Sequence, residues 1–558
     1  MDFKTHTGKF LLFFFLSWNQ LIGQSLPGPI VSLDPKTTSD SDELLNFNPV
    51  YSFGGTIEDT VSVILEKEPS QLTIFTVFRS ELENHEQTVW SLCKPEYEEL
   101  LTNMRLVDFE GGKILNYQLK DPRNTHFNHY FRQKKIEGTG AFRFTLGGYG
   151  GKREYIPASP FRGVIGETMV FDQVLSRKER QIISTYYALK YGLALSHSQD
   201  SSYLNGWGEP IWDEEKNDSF DFRITGVGRD DLTGLYQKQS TSSYAPDLFT
   251  LSLGTVAESN EANSASIPDG AYLLWGDNDK GLTFGPTSGL GKTTERQWAL
   301  ESSGPAIGQP ITIRVNQRRW LQPLMDRERL WLMLDQSGTG NFSAEDTKFF
   351  PAKDIASNGR ITFSDIEFPA NSRQILTFSA GPEIMPVYWS DSLLCHPDWD
   401  GALTVGVVGG MGPFNLKLLN SEGGLITSWQ GEGNDYREIT GLEDATYELE
   451  IEDSNGYFTR RKVDGCVSEK EAFATSTIAS YHLGPNPTLD GDFILTLRLR
   501  ESGPVRLSIS DSSGRVIHTE SVDGDYYYSM PGVLPVSGTY FIRIQTGEEE
   551  ITLPIIRQ

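Results

Sequence analysis

Apolar and polar residues alternate with a period of two through most of this chain. The segment Gln71-Leu72-Thr73-Ile74-Phe75-Thr76-Val77-Phe78 is one case, and 249–253, 271–275, 311–315, 330–334 and 375–378 read as further strands separated by turn signals. Near the C-terminus, 493–499, 505–509 and 515–519 repeat the pattern. Successive side chains on a strand point to opposite faces, so each segment predicts a strand with one face in a core. The stretches between them carry turn chemistry, as in Leu489-Asp490-Gly491-Asp492 and Asp511-Ser512-Ser513-Gly514. Gly there supplies positive φ, and Asp or Ser hydrogen-bonds its own turn. One segment has the helical period instead. Ile182, Ile183, Tyr186 and Leu189 recur at helical spacing behind Ser176, an N-cap residue with Glu179 at the capping-box position. The pattern predicts an all-β chain with a single helix, which would seal the end of a sandwich.

With 558 residues the chain exceeds what one core can organise and should divide into three or four domains. Aromatic content of 11%, with 54 Gly and 28 Pro, suits many short strands joined by turns. The formal net charge of −26 argues against a nucleic-acid partner, because phosphate is bound through clustered Lys and Arg. Solubility of a secreted protein accounts for the acidity more simply than calcium loading does.

The first residues read as an export signal. Lys4 to Lys9 form a basic start, 10–16 an unbroken apolar run, and Leu21-Ile22-Gly23-Gln24 a small-residue exit, so residues 1–24 are expected to be a signal peptide. The apolar run falls short of the roughly 20 residues a spanning helix needs. No Cys follows Gln24, which argues against lipid attachment there, and no other stretch is long and apolar enough to span a bilayer. After it, 26–42 is rich in Pro, Ser, Asp and Thr and reads as extended linker or an edge strand.

Four regions follow. The last, 478–558, carries Pro485-Asn486-Pro487, then Asp511-Ser512-Ser513-Gly514-Arg515-Val516-Ile517, then Gly538-Thr539-Tyr540. These spaced elements resemble the C-terminal sorting domain of proteins exported by the type IX secretion system of Bacteroidetes, although the final stub has only Arg557 where that family often has two lysines. The resemblance implies the type IX machinery as a partner and the cell surface or the medium of a Bacteroidetes-type bacterium as the destination. Region 25–195 ends in Gly163-Val164-Ile165-Gly166-Glu167-Thr168-Met169-Val170-Phe171, then Leu175-Ser176-Arg177-Lys178-Glu179-Arg180 and Tyr187-Ala188-Leu189-Lys190-Tyr191-Gly192. That closure resembles laminin-G-like, concanavalin-like jelly-roll domains. Region 196–382 contains Pro210-Ile211-Trp212-Asp213 and Ile224-Thr225-Gly226-Val227-Gly228-Arg229-Asp230-Asp231 and resembles an uncharacterised β-domain that follows such units; its strand spacing allows a sandwich or a barrel. Region 385–467, with Gly409-Gly410-Met411-Gly412-Pro413-Phe414 and Ala445-Thr446-Tyr447-Glu448-Leu449-Glu450-Ile451, resembles immunoglobulin-like repeats of gliding-motility adhesins. In those repeats a Cys lies near each end. Cys395 and Cys466 occupy these places and are the disulfide candidates in an oxidising compartment, while Cys93 reads as a buried small hydrophobe. The expected architecture is thus an all-β multidomain chain: a jelly-roll sandwich followed by further β-sandwich and immunoglobulin-like modules.

Catalytic patterns are weak. The run Phe284-Gly285-Pro286-Thr287-Ser288-Gly289-Leu290-Gly291-Lys292-Thr293 approaches a phosphate loop, but the first Gly is displaced and no apolar helix follows. His126 and His129 have a ligand spacing for a helix and not for a strand. No Gly-x-Ser-x-Gly elbow supports a hydrolytic triad. Glu167 and Asp172 are carboxylates on the closing strand of a fold that hosts glycosidases, without a second acid in a glycanase pattern. Asp277, Asp279, Asp398 and Asp400 cluster oxygen ligands at Asp-Gly-type turns, so calcium is the one cofactor left open. Trp207 and Trp212 suit either sugar stacking or a core. No catalytic residue is assigned. The expectation is a non-enzymatic surface or secreted protein with a glycan or extracellular protein ligand on its laminin-G-like domain. A secreted carbohydrate-active enzyme and a structural stalk are the alternatives.

Overall fold

The computed structural model describes residues 26–557 apart from 36–42, 67, 83–84, 96, 109–112, 117–123, 137–139, 153–158, 196–201, 317, 319–323, 325–327, 391–400, 433–434, 443–444, 465–476, 485–487, 489–490 and 548. The fold is all-β and multidomain, with sheets in face-to-face sandwiches and one α-helix among the described residues. The expected signal peptide, Cys395, Asp398, Asp400, Cys466 and the Pro485-Asn486-Pro487 opening lie outside the described residues.

The first sandwich sets a five-stranded sheet against a seven-stranded one. Strand Arg162–Phe171 is central to the smaller sheet, pairing with Leu72–Ser80, Val31–Leu33 and Tyr51–Gly54. Of the linker and edge-strand readings for 26–42, the edge strand is realised, at Val31–Leu33. Leu72, Ile74 and Phe78 face the core between the sheets, with Trp90 and Phe144 of the larger sheet and Phe142 just before its strand Arg143–Leu146. Phe75 and Val77 project from the other face, which is also buried. A strand covered on both sides has no solvent face to mark with charged residues.

The cover on that second face is the helix α1, Arg177–Tyr191. Its start follows the sequence: Ser176 Oγ accepts from the Glu179 amide and the Glu179 carboxylate accepts from the Ser176 amide. Tyr187 stacks on Phe75, with ring centroids 5.9 Å apart, and lies against Phe127 at 5.3 Å. The sequence predicts a terminal seal, but helix α1 is covered on its outer side as well. The core around it continues through Tyr203, Ile211, Trp212, Ile224, Tyr272 and Leu274, all from the next region. Helix α1 is therefore a wedge between two sandwiches and contributes to both.

The last turn of α1 shows how tightly they are joined. A helix leaves its final carbonyls without intrahelical partners. Gly192, left-handed at φ 67°, returns its amide to Ala188 O. Asn46 Nδ2 donates to Leu189 O at 2.9 Å, and Asn48 Nδ2 to Lys190 O at 2.5 Å. Ser243 Oγ donates to Tyr191 O, and the Ser243 amide to Gly192 O at 2.8 Å. Asn46 and Asn48 sit on a hairpin, Leu44–Leu45 with Asn48–Pro49, whose two-residue turn holds Asn46 at φ 47° and Phe47 at φ 66°. Two positive φ values are what a type I′ turn requires, and Asn tolerates them. Asn46 Oδ1 also accepts from the Thr241 amide at 2.7 Å, and Gln237 Nε2 donates to Asn46 O at 3.1 Å. At Gly192 a Cβ would lie 2.2 Å from Thr241 O, so the close approach excludes any side chain.

The second unit is a sandwich of a nine-stranded and a five-stranded sheet, which settles sandwich over barrel. Trp275, Trp298, Phe249, Phe363 and Phe378 fill it, with Phe249 stacked on Trp298 at 5.2 Å. The phosphate-loop-like run is a hairpin, Phe284–Ser288 with Gly291–Thr294, so no helix N-terminus exists there to hold phosphate. The third unit pairs a three-stranded sheet with a four-stranded one, and it docks on the second through Tyr388 N to Gly289 O at 3.1 Å and Trp389 Nε1 to Phe342 O at 2.8 Å. In the last unit, the strands expected at 493–499 and 505–509 are one strand, Asp492–Asp511, and 515–519 is the start of Val516–Val533. Register shifts around Gly503 mark a bulge in the long pair, and the strand runs on through the gap between the two expected segments.

Candidate functional site

Most sequence candidates prove to be structural. Glu167 is 4% exposed and its carboxylate is fully engaged. Oε1 accepts from Ser32 Oγ at 3.0 Å, and Oε2 accepts from Tyr186 Oη at 2.6 Å and from Lys190 Nζ at 2.8 Å. Lys190 Nζ also reaches Asp34 Oδ1 at 3.1 Å. Burial works against the Lys190 ammonium and Glu167 works for it; the balance holds its pKa well above the ordinary lysine value. A glycosidase acid must face an open cleft beside a second carboxylate, whereas Glu167 points beneath α1.

Asp277 and Asp279, the calcium candidates among the described residues, are ion-paired with arginines. Asp277, fully buried, accepts from Arg223 Nε at 2.6 Å and lies 3.6 Å from Arg296, and Asp279 pairs with Arg223 and, at 3.3 Å, with Arg296. Two guanidinium groups neutralise two carboxylates, which removes the excess negative charge a calcium site is built on. Among the described residues no three His, Cys, Asp or Glu side chains gather as a metal site. His126 and His129 lie on strand His126–Arg132 opposite Phe78 and Phe75, whose side chains enter different cores, so the imidazoles sit on opposite faces. Cys93 is buried, and its thiol is pushed up to about 12 by burial and by Glu98.

The two tryptophans part company: Trp212 is 3% exposed and belongs to the core, while Trp207 is 54% exposed. Sequence reasoning did not find the open feature of the seam. A cleft of about 220 Å³ lies between the Asn46-Phe47 hairpin and the second unit, lined by Phe47, Pro49, Tyr236, Lys238, Asn260 and Glu261. Tyr236 is 40% exposed there, with Arg229 and Lys238 each 5.3 Å from its ring centroid. An aromatic face beside amide and charged groups suits a polar ligand with an apolar flank, such as a sugar ring. The only advance sign was Asn46-Phe47-Asn48-Pro49, whose turn chemistry does not say what packs against it.

The C-terminal unit shows why its motif residues are spaced as they are. Asp511 Oδ1 accepts from the Ser513 amide at 3.0 Å and the Arg515 amide at 3.1 Å, and Gly514 takes φ 83°. Those bonds hold the Asp511 carboxyl below its usual range, the Ser513 hydroxyl first among them. Tyr540 Oη donates to Val536 O at 2.8 Å and pins the loop before Gly538–Thr546.

A family model described as a domain of unknown function (DUF8202) matches residues 179–372, which begins inside α1 and ends just before strand Arg373–Pro382 of the second sandwich. A curated relative, the serine-aspartate repeat-containing protein F of Staphylococcus epidermidis, is 23% identical over 156 residues. That match covers 25% of this chain and 9% of the relative, so the chain spans about a tenth of the relative's length. Among solved structures, the BSP domain of a biofilm associated protein aligns over 94% of this chain and 99% of its own at 9% identity and TM-score 0.20. A two-domain fibronectin type III segment of chicken tenascin covers 28% of this chain and 93% of its own at 14% identity and TM-score 0.13. A β-glucuronidase of Ruminococcus gnavus covers 33% and 37% at 15% identity and TM-score 0.14. Scores this low do not establish a shared arrangement of the chain. No helix among the described residues is long and apolar enough to cross a membrane.

Proposed function

We propose that this is an exported, non-enzymatic protein of the cell surface or medium that binds a glycan or protein ligand, delivered by the type IX secretion machinery. The observation that carries the binding reading is the seam cleft. It is walled by the Leu44–Pro49 hairpin that caps α1 and by the second sandwich, and it presents Tyr236 with Arg229 and Lys238 over its ring. The laminin-G-like resemblance implies a ligand on the first unit, and the cleft supports a ligand at that unit's border with the second. A glycan and matrix-protein array probed with the full chain tests the reading. Tyr236→Ala should weaken the strongest hit at least about tenfold, or about 1.4 kcal/mol. Silence across the array would favour a stalk, and turnover of any polysaccharide would favour an enzyme.

The export reading rests on residues: the Asp511-to-Arg515 turn and the Tyr540 contact give structural work to the spaced elements of the sorting-domain resemblance. Deleting residues 481–558 should strand the protein in the periplasm, and unchanged surface delivery would refute it.

A further inference from the structure

We propose that Lys190 and Asp34 become joined by an intramolecular amide bond, made by the folded chain itself with Glu167 as proton carrier. The amine lies within hydrogen-bond reach of both carboxylates, 2.8 Å from Glu167 Oε2 and 3.1 Å from Asp34 Oδ1. Its side chain is 13% exposed, and that of Glu167 5%. The groups also stand on rigid supports. Asp34 directly follows strand Val31–Leu33, held in register by Leu33 against Thr168, and Lys190 lies in the last turn of α1, whose carbonyls are capped from two other elements. Such placement replaces a chance encounter by a standing one, which is worth a large part of a condensation barrier.

The two carboxylates have different surroundings, and that divides their roles. Glu167 is fixed by Ser32 Oγ and Tyr186 Oη, and its own amide donates to Tyr191 Oη at 2.7 Å. A buried carboxylate so oriented can take a proton from the ammonium and pass it on. The Asp34 side chain is 42% exposed, which gives the water that forms a way out. Tyr51, Tyr186, Tyr187 and Tyr191 surround the group, and their hydroxyls are all pushed up, first of all by burial. Burial opposes the charge on Lys190, but the carboxylates outweigh it and keep an ammonium at rest, so the reactive neutral amine forms only by proton transfer to Glu167, which is 2.8 Å away.

The atoms balance without any added reagent. Glu167 takes one proton from the Lys190 ammonium and delivers it to Asp34. The neutral amine then attacks the Asp34 carboxyl carbon, forming the N–C bond. Glu167 accepts a second proton from the nitrogen and returns it to the departing hydroxyl, so the C–O bond breaks and one water leaves. Glu167 ends as the carboxylate it began as.

The bond would close the chain from 34 to 190 and take the first sandwich out of the line of force. Tension applied at the N-terminal end would pass from the edge strand through the amide to α1, and so into the second unit. This inference does not rest on the seam cleft having a ligand, and its test reads no binding. The full chain is purified folded, its intact mass is taken under denaturing conditions, and a tryptic map is made. The expected result is a mass lower by one water, no cleavage after Lys190, and a branched peptide joining Lys190 to the segment holding Asp34. Glu167→Gln should give the unlinked mass with an unchanged circular dichroism spectrum, and Asp34→Asn should restore a link with loss of ammonia instead of water. Complete tryptic cleavage after Lys190 in the wild-type protein, at full mass, overturns the proposal even if the Glu167 variant does not fold.

Discussion

Replacing Asn46 by Ala tests whether the first two sandwiches share one cooperative structure. The side chain donates to Leu189 O at 2.9 Å and accepts from Thr241 N at 2.7 Å, contacts separated by 143 and 195 residues along the chain. Ala removes both bonds, leaving a helix-terminal carbonyl and a strand amide buried without those partners. Each orphaned group costs about 1–3 kcal/mol. Ala must also hold φ near 47°, where a residue without an Asn-type side chain loses about 1–2 kcal/mol. Together these give about 3–8 kcal/mol. Asn46→Gly separates the contributions, because Gly accepts the φ value and still loses the bonds. Asn46→Asp keeps an acceptor for Thr241 and gives up the donor to Leu189. The expected order of stability is Asn, then Asp and Gly, then Ala. The assay is native-state hydrogen exchange at the amides of Gly192, Thr241 and Ser243, since a single denaturation midpoint is poorly defined for several domains. If Ala changes the opening free energy of these amides by less than about 1 kcal/mol, the seam does not couple the units and the reasoning fails.

Other outcomes follow from the same contacts. Residues 26–195 alone should be poorly soluble, and 26–382 soluble with one cooperative transition, because Tyr203, Trp212 and Ile224 complete the core around α1; expression of the two fragments decides this. Asp277→Asn leaves Arg223 and Arg296, at 18% and 11% exposure, short of their main counter-charge, and should cost about 3–5 kcal/mol by denaturant titration. Calcium or chelator should leave the melting temperature of the second unit unchanged, and a calcium-dependent shift lost in Asp277→Asn would restore the metal reading. At high pH, Tyr186 and Tyr187 hold protons that the unfolded chain has released, since their folded pKa values lie well above the ordinary 10.0. Their contribution is complete below pH about 10 and lost as pH rises above it. Alkaline unfolding should therefore begin around α1, and Tyr187→Phe should make it less steep.

How far the sequence could be read depends on the range of each interaction. The start of α1 was legible because Ser176 and Glu179 cap it within three residues. The turn at Asp511 was legible for the same reason: its bonds close within four residues. The second face of Leu72–Ser80 was not, because what covers it lies a hundred residues away, and a strand buried on both sides loses the polar positions that would reveal it. The same limit misplaced the candidate sites. Asp277-Asn278-Asp279 looks like a cation site because sequence shows the acids together and hides Arg223, 54 residues upstream of Asp277, which neutralises them. Glu167 looks like a free acid until α1 brings Lys190, 23 residues further on, back against it. A cluster of charge in sequence is therefore evidence of a ligand only after the counter-charges that folding brings in have been counted. Among the described residues, that counting accounts for Glu167 and for the Asp277-Asp279 pair. The feature that forms the cleft is the Asn46-Phe47 turn, which reads locally as a loop and acts in the structure as the joint between two sandwiches.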